Sequence, residues 1–268
     1  MNNNFLKVEN LVAGYKNGFK LKNISFSIKK SSFTGIIGPN GSGKSTLLKT
    51  IAGILFQENG RIFLENRELN SMTEKEKSKK IAYVPQFIEN KDFKVFDYVL
   101  MGRFPYFESF QVFESKEDIE IAEKYMKILG IYNLKEKFLY ELSGGQQQIV
   151  AICSALVQQP KLLLLDEPTA HLDLKYQVEI LDLLYTLHEE SELTIITVFH
   201  DLNLASEYCD YLILLKNGKI FSQGEPENVI DYKIIEEVYK IVVIKQENPI
   251  SKKPFIIPVS KKLTKKIK

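Results

Sequence analysis

Residues Gly38 to Thr46, reading GPNGSGKST, combine residue types and spacing that can hold a chain of phosphates. Gly38-Pro39-Asn40-Gly41-Ser42-Gly43-Lys44-Ser45 satisfies G-x-x-x-x-G-K-[ST] at every fixed position. The short apolar run TGIIG leads into it, and KSTLLKTIAG leaves it with helical periodicity, closed by Gly53. Glycines let successive backbone N–H groups curl round an anion without Cβ obstruction, and a helix N-terminus adds a favourable dipole. Lys44 is long enough to reach β- and γ-phosphates, and a hydroxyl such as that of Ser45 ligates Mg²⁺.

A second acidic element completes a chemistry. KLLLLDEP places Asp166 and Glu167 at the carboxyl end of a buried strand, where ligands sit in open α/β sheets. Asp166 can hold Mg²⁺ directly or through water, and Glu167 can polarise an attacking water as general base. Two carboxylates there could instead cap the next helix, but a complete phosphate loop in the same chain favours the catalytic reading. Together they imply a P-loop nucleoside triphosphatase. A GTPase would need N-K-x-D, and the nearest string, Asn90-Lys91-Asp92-Phe93, has its acid one place early.

ELSGGQQQIV, from Glu141 to Val150, is a second glycine turn opening a helix, which reads as regular from Gln146 onward. Such a turn is another anion cradle. Here the chain resembles a family: the ATP-binding subunits of ABC transporters, over about the first 240 residues in motif order. The resemblance implies that the phosphate loop of one subunit and the LSGGQ of another clamp one ATP. Ser143, Gly144 and Gly145 would then bind the γ-phosphate across a homodimer interface, with Gln146 at the edge of the site. One phosphate loop and one LSGGQ per chain imply a head-to-tail pair with two ATPs.

By the same resemblance Tyr15 would stack on adenine, although a core tyrosine would read alike. Gln86, in YVPQF, would join the Mg²⁺ shell, Asp173 would cross the dimer interface, and His200 would contact the γ-phosphate and position the water. One departure stands out. The family commonly continues LSGGQ with arginines, where this chain has Gln147, Ile149 and Ser154.

DYVLMGRFPYF, DEPTAHLDLKYQVEIL and ENPISKKPFIIP resemble the branch that imports iron–siderophore complexes, haem and cobalamin. That branch implies two integral membrane permease subunits, an extracytoplasmic substrate-binding protein and a peripheral position on the cytoplasmic face of the membrane. A zinc or manganese importer and a non-transport ABC ATPase remain open alternatives. The aromatics Phe104, Tyr106, Phe107, Phe110 and Phe113 are more than one helix face needs, and favour a partner groove.

Periodicity supplies the scaffold on which these groups are carried. Ile24, Phe26 and Ile28 lie on one face of a strand, after a turn at Lys16–Gly18. ENGRIFLEN reads as a strand entered through an Asn-Gly turn, and YLILLKNGKIFSQG as a hairpin turning at Asn217-Gly218. Asp97 to Leu156 is mostly helical; strands return at KLLLLD and LTIITVFH, separated by a helix over about 174–190. The expected fold is an α/β P-loop ABC ATPase core with a mostly parallel sheet, an antiparallel β subdomain and an inserted α-helical subdomain. Residues 1–86 and 158–245 would form the nucleotide-binding core, 87–157 the helical insert and 246–268 a tail.

Composition sets the remaining bounds. With Lys+Arg at 36 and Asp+Glu at 34, a net charge of +2 argues against nucleic-acid binding. No apolar run approaches the ~20 residues of a membrane span, and MNNNFLKVEN does not read as a secretory signal. Cys153 and Cys209, far apart in apolar patterns, read as core thiols, and the histidines lack metal-ligand spacing. The basic end KKLTKKIK reads as a solvated terminus.

Overall fold

The computed structural model describes residues 4–16, 18–89, 92–108, 111 and 113–264. Residues 1–3, Asn17 of the expected Lys16–Gly18 turn, Asn90 and Lys91, Phe110 and the last four residues of the basic tail lie outside them. Two compact units form, Met1–Leu69 with Ile195–Lys268, and Asn70–Thr194.

The first unit opens with β1 (Asn4–Gly14), β2 (Lys20–Lys29), β3 (Phe33–Ile37), helix α1 (Lys44–Ile51), β4 (Gln57–Leu64) and β5 (Arg67–Glu68). Strands β2, β1, β4 and β5 pair in that order as an antiparallel sheet. Ile24, Phe26 and Ile28 are buried on its inner face, as their alternation predicts. The Asn-Gly turn expected before β4 is not there. Asn59 and Gly60 lie inside the strand, at a register shift against β1. Gly60 takes φ 90°, and a Cβ on it would stand 2.5 Å from the Glu9 carbonyl oxygen. The dipeptide is used as a bulge because β1 passes too close for a side chain. The tight turn falls instead at Glu65-Asn66, φ 51° and 64°, joining β4 to β5.

The second unit contains α2 (Glu74–Lys80), β6 (Ile81–Val84), α3 (Val95–Leu100), α4 (Lys116–Ile128), α5 (Gly144–Leu156), β7 (Leu162–Leu165) and α6 (Leu174–Ser191). The expected helical insert 87–157 lies wholly within it, and β6 pairs with β7 in parallel. A 3-10 turn at Met101–Tyr106 continues α3. Arg103 fixes that turn from inside. Its Nε donates to Asp118 Oδ1 at 2.9 Å, and its terminal nitrogen donates to the Val157 carbonyl at 2.7 Å and Gln159 Oε1 at 3.2 Å. The guanidinium also lies 3.9 Å from the centre of the Tyr106 ring. Tyr106 is thereby structural, its hydroxyl donating to the Gln158 carbonyl at 3.0 Å, whereas Phe104 and Phe113 are exposed.

The chain returns to the first unit through β8 (Thr194–Val198), α7 (Leu202–Tyr208), β9 (Tyr211–Lys216), β10 (Lys219–Gly224), α8 (Pro226–Val229), α9 (Tyr232–Tyr239), β11 (Val243–Glu247), β12 (Pro254–Pro258) and α10 (Lys261–Thr264). Strand β3 lies between β8 and β9, parallel to both, and β10 pairs antiparallel with β9. The expected hairpin is present, with Asn217 at φ 50° and Gly218 at φ 77°. Both cysteines are buried, and loss of solvation raises both thiol pKa values, so they stay neutral and unreactive.

Candidate functional site

Strand β3 ends where Gly38 begins the phosphate-loop sequence, and three glycines bend the chain between that strand and α1. Gly38, Gly41 and Gly43 have φ 148°, 74° and 106°, values that disfavour side chains. The space around them differs. A Cβ at Gly38 would stand 2.3 Å from the Leu215 carbonyl oxygen, whereas one at Gly41 would meet nothing within 4 Å. Gly41 therefore serves the curl of the backbone, not packing. Lys44 is 5% exposed and turns back into the curl, its Nζ donating to the Gly38 carbonyl at 3.0 Å and the Pro39 carbonyl at 3.4 Å. Helix α1 has no acidic residue in its first turn and no side-chain cap at Gly43, so neither its own first turn nor its cap residue sets a carboxylate against its N-terminal dipole. The Ser42 hydroxyl is buried without a partner.

Neighbouring elements hold the loop from behind. The Gly218 amide donates to the Ser42 carbonyl at 3.1 Å, so the β9–β10 turn buttresses the curl. Burial raises the pKa of the Tyr239 hydroxyl, keeping it neutral where it bonds to the Gly38 backbone. His200 follows β8, whose Val198 pairs with Ile36 of β3, so His200 and the loop leave the same end of parallel neighbours. Asp201, next in sequence, caps α7 by accepting from the amides of Asn203 at 2.7 Å and Leu204 at 3.1 Å. Tyr15 at the end of β1 is 50% exposed, which removes the alternative of a core tyrosine.

Strands β11 and β12 are tied to α7, a link that sequence reasoning missed. Asn203 accepts from the Ile256 amide at 2.7 Å and donates to the Ile256 carbonyl at 3.2 Å, as a strand neighbour would. Glu207 accepts from Ser251 Oγ at 2.8 Å and Asn248 Nδ2 at 3.2 Å. Asn203→Ala is expected to destabilise the unit by about 1–2 kcal/mol and to speed hydrogen exchange at the Ile256 amide. Unchanged exchange would show that the hairpin holds without it.

In the second unit, parallel pairing of Val84 with Leu165 brings Gln86 and the Asp166-Glu167 pair out at one end of β6 and β7. Gln86 Nε2 donates to Glu167 Oε2 at 2.8 Å. Asp166 is buried and accepts from the Tyr83 hydroxyl at 3.1 Å. Sequence reasoning does not single out Tyr83, although a tyrosine in a short buried strand needs a partner for its hydroxyl. Glu167 takes φ 55°, and His171, stacked on Phe87 at 5.7 Å, takes φ 61°. Non-glycine residues in that region carry strain that concentrates at functional sites. Asp173 is the N-cap of α6, accepting from the Tyr176 amide at 3.0 Å.

Helix α5 starts at Gly144, earlier than the expected Gln146, because Ser143 and Gln146 form a reciprocal cap. The Ser143 amide donates to Gln146 Oε1 at 3.1 Å, and the Gln146 amide donates to Ser143 Oγ at 3.3 Å. The two glycines have separate reasons. A Cβ on Gly145 would stand 2.7 Å from the Tyr176 ring, so packing requires that glycine. Gly144 is exposed, and a Cβ there would make only an ordinary 3.6 Å contact with Leu172. The arginine-to-glutamine and arginine-to-serine departures also find partners. Gln147 donates to the carbonyls of Leu139 and Leu142, each at 3.0 Å, and Ser154 Oγ donates to the Tyr98 carbonyl at 3.0 Å.

Among the described residues no group of three or more His, Cys, Asp or Glu could hold a metal by itself. Taken separately, the Ser45 hydroxyl and the buried Asp166 carboxylate are hard oxygen groups of the kind Mg²⁺ accepts, an ion that takes few protein ligands and fills its shell with water and phosphate oxygens. No helix among those residues is long and apolar enough to cross a membrane.

A glycine-curled loop between strand and helix, on a parallel sheet with a separate antiparallel sheet, defines an α/β P-loop ATPase. The ABC transporter domain matches residues 21–170, and the chain belongs to the ABC transporter family. The ferric enterobactin transport ATP-binding protein FepC of Escherichia coli and the petrobactin import ATP-binding protein FpuD of Bacillus anthracis are each 35% identical over 257 residues, 96% of this chain and 94% of theirs. Among solved structures, an inward-facing ABC transporter assigned to the metal-chelate type has a TM-score of 0.85 at 29% identity, covering 97% of this chain and all of its own matched chain (100%). A dimeric cassette carrying ADP and phosphate has a TM-score of 0.71 at 32% identity, covering 82% of this chain and 98% of its own.

Proposed function

We propose that this chain is the ATP-hydrolysing subunit of an ABC importer for iron chelates or the related cobalamin, working as a homodimer beneath two permease subunits. The observation that carries the ATPase reading is the loop curled through Gly38, Gly41 and Gly43 with the Lys44 ammonium turned into it. Its amides and Lys44 would take the triphosphate when Nζ exchanges the two carbonyl oxygens for phosphate oxygens, with Tyr15 on the adenine. Ser45, Asp166 and Gln86 are the residues that would hold Mg²⁺, which neutralises charge on the β- and γ-oxygens when bound. Glu167 would take a proton from the attacking water, and His200 would orient that water against the γ-phosphate. Gln86 holds Glu167 by its carboxylate, so a residue assigned to the metal shell also aims the base.

Gly144 supports the dimeric reading. It is exposed, and a Cβ there would make only an ordinary contact within its own chain, so this end of α5 is open to close approach from outside. Ser143 and the first amides of α5 would meet the γ-phosphate bound to the partner subunit, with Asp173 at the same interface. The reading also draws on the dimeric cassette among the similar structures. Iron-chelate import rests on the siderophore systems of FepC and FpuD and on the motifs shared with that branch. An extracytoplasmic binding protein would deliver the cargo, placing this chain on the cytoplasmic face of the membrane.

Lys44→Ala tests both levels. Charge-assisted bonds contribute about 1.5–3 kcal/mol each, so losing two should weaken ATP binding at least about a hundredfold. In cells carrying the variant, uptake of radio-iron as ferric siderophore or haem, or of cobalamin, should stop. Unchanged ATP affinity would refute the cradle; undiminished uptake of all three cargoes would refute the importer branch.

A further inference from the structure

Gln147 does more than replace an arginine. Its side-chain amide donates to the Leu142 carbonyl at 3.0 Å, and that carbonyl belongs to the peptide unit whose N–H is Ser143's. The same N–H donates to Gln146 Oε1 at 3.1 Å. Two consecutive glutamine amides therefore grip opposite ends of the Leu142–Ser143 peptide. Gln147 also donates at 3.0 Å to the Leu139 carbonyl, which opens the 3-10 turn Leu139–Glu141 leading into that peptide. The Tyr176 ring packs against Gly145, two residues on, where a Cβ would stand 2.7 Å from it.

Rotation of this peptide would swing the Ser143 hydroxyl and tilt the first amides of α5, since Ser143 is the N-cap. We propose that Gln147 is a positioning residue for the second nucleotide-binding edge, holding the Leu142–Ser143 peptide so that Ser143 and the start of α5 face the partner's γ-phosphate. The proposal rests on the dimeric reading above. It requires a donor at position 147, because both partners are carbonyl oxygens. Arginine satisfies that requirement and methionine, of similar length, does not. The departure from arginine thus keeps the donor and discards the charge.

The test uses the full chain in a Glu167→Gln background, where ATP should drive dimerisation without turnover. Gln147→Met, Gln147→Glu and Gln147→Arg are compared by sedimentation at saturating ATP, alongside ATP affinity at concentrations where the chain is monomeric. Gln147→Met should raise the dimer dissociation constant about tenfold, and Gln147→Glu further, while monomer ATP affinity stays within about twofold. Gln147→Arg should restore dimerisation. Parental dimerisation of Gln147→Met, a parallel loss of monomer ATP affinity, or failure of Gln147→Arg to restore would each overturn the proposal. A Glu167→Gln parent that stays monomeric at saturating ATP would instead overturn the dimeric reading itself.

Discussion

Glu167→Gln should lower steady-state ATP hydrolysis by about 10²–10⁴-fold while leaving ATP binding intact, the size expected for loss of a positioned general base. Glutamine has the shape of glutamate, and Gln86 Nε2, 2.8 Å from Glu167 Oε2, can still donate to the amide oxygen. The φ of 55° at position 167 is kept too, so the substitution changes basicity and little else. Phosphate release measures the rate, and size exclusion with ATP should show a dimer that persists. A variant turning over within about threefold of the parent would remove Glu167 from the chemistry. A compensating change in Gln86 is the informative partner. Gln86→Ala should slow turnover less than Glu167→Gln, because it frees the proposed base without removing it.

The second large effect is on stability. Arg103→Ala should destabilise the second unit by about 3–5 kcal/mol, because removing one member of a buried pair leaves the other charge uncompensated. The side chains of Arg103 and Asp118 are only 4% and 7% exposed, and Arg103 additionally satisfies Val157 and Gln159. Denaturant midpoints should rank the parent above Arg103→Lys, which keeps charge but not the fork, and Arg103→Lys above Arg103→Ala. A shift under about 1 kcal/mol for Arg103→Ala would show that water replaces the guanidinium without strain.

Acid adds an independent check. Burial pushes the Asp118 pKa up, but hydrogen bonds from Ser115 and Arg103, with the guanidinium charge, bring it below its ordinary value. A carboxylate depressed in the folded state stabilises fully above its unfolded pKa, ~3.9, and the contribution is lost as pH falls through the lower folded value. The parent should therefore lose more stability than Asp118→Asn on acidification from about pH 5 through that range. Equal acid sensitivity would place the lowered pKa elsewhere.

Chemistry carried by contiguous residues was legible without a fold. GPNGSGKS contains its own curl, because glycine alone accepts the φ of positions 38, 41 and 43 without strain. LSGGQ contains its own cap, since Ser143 and Gln146 are close enough in sequence to satisfy each other's amides. The hairpin at Asn217-Gly218 and the core strands followed from turn chemistry and alternation, which operate over a few residues. Local signals failed where a neighbour from afar decided. Asn59-Gly60 has turn composition but became a bulge, because β1 lies against it.

The partners that align the chemistry were decided by tertiary structure. Tyr83 reaches Asp166 across 83 positions, Gln86 reaches Glu167 across 81, and Asn203 reaches Ile256 across 53. Each depends on strand register or helix docking, and no local pattern encodes either. The same holds for Gln147, which as a sequence is an arginine missing from its usual place. Only with the Leu139–Glu141 turn folded back over α5 does it become the donor that two carbonyl oxygens require. Sequence alone singled out the groups that the proposed reading sets on a phosphate chain, because the glycine-rich motifs among them carry their own backbone geometry. Structure determined what holds them still, because that depends on residues brought together by packing.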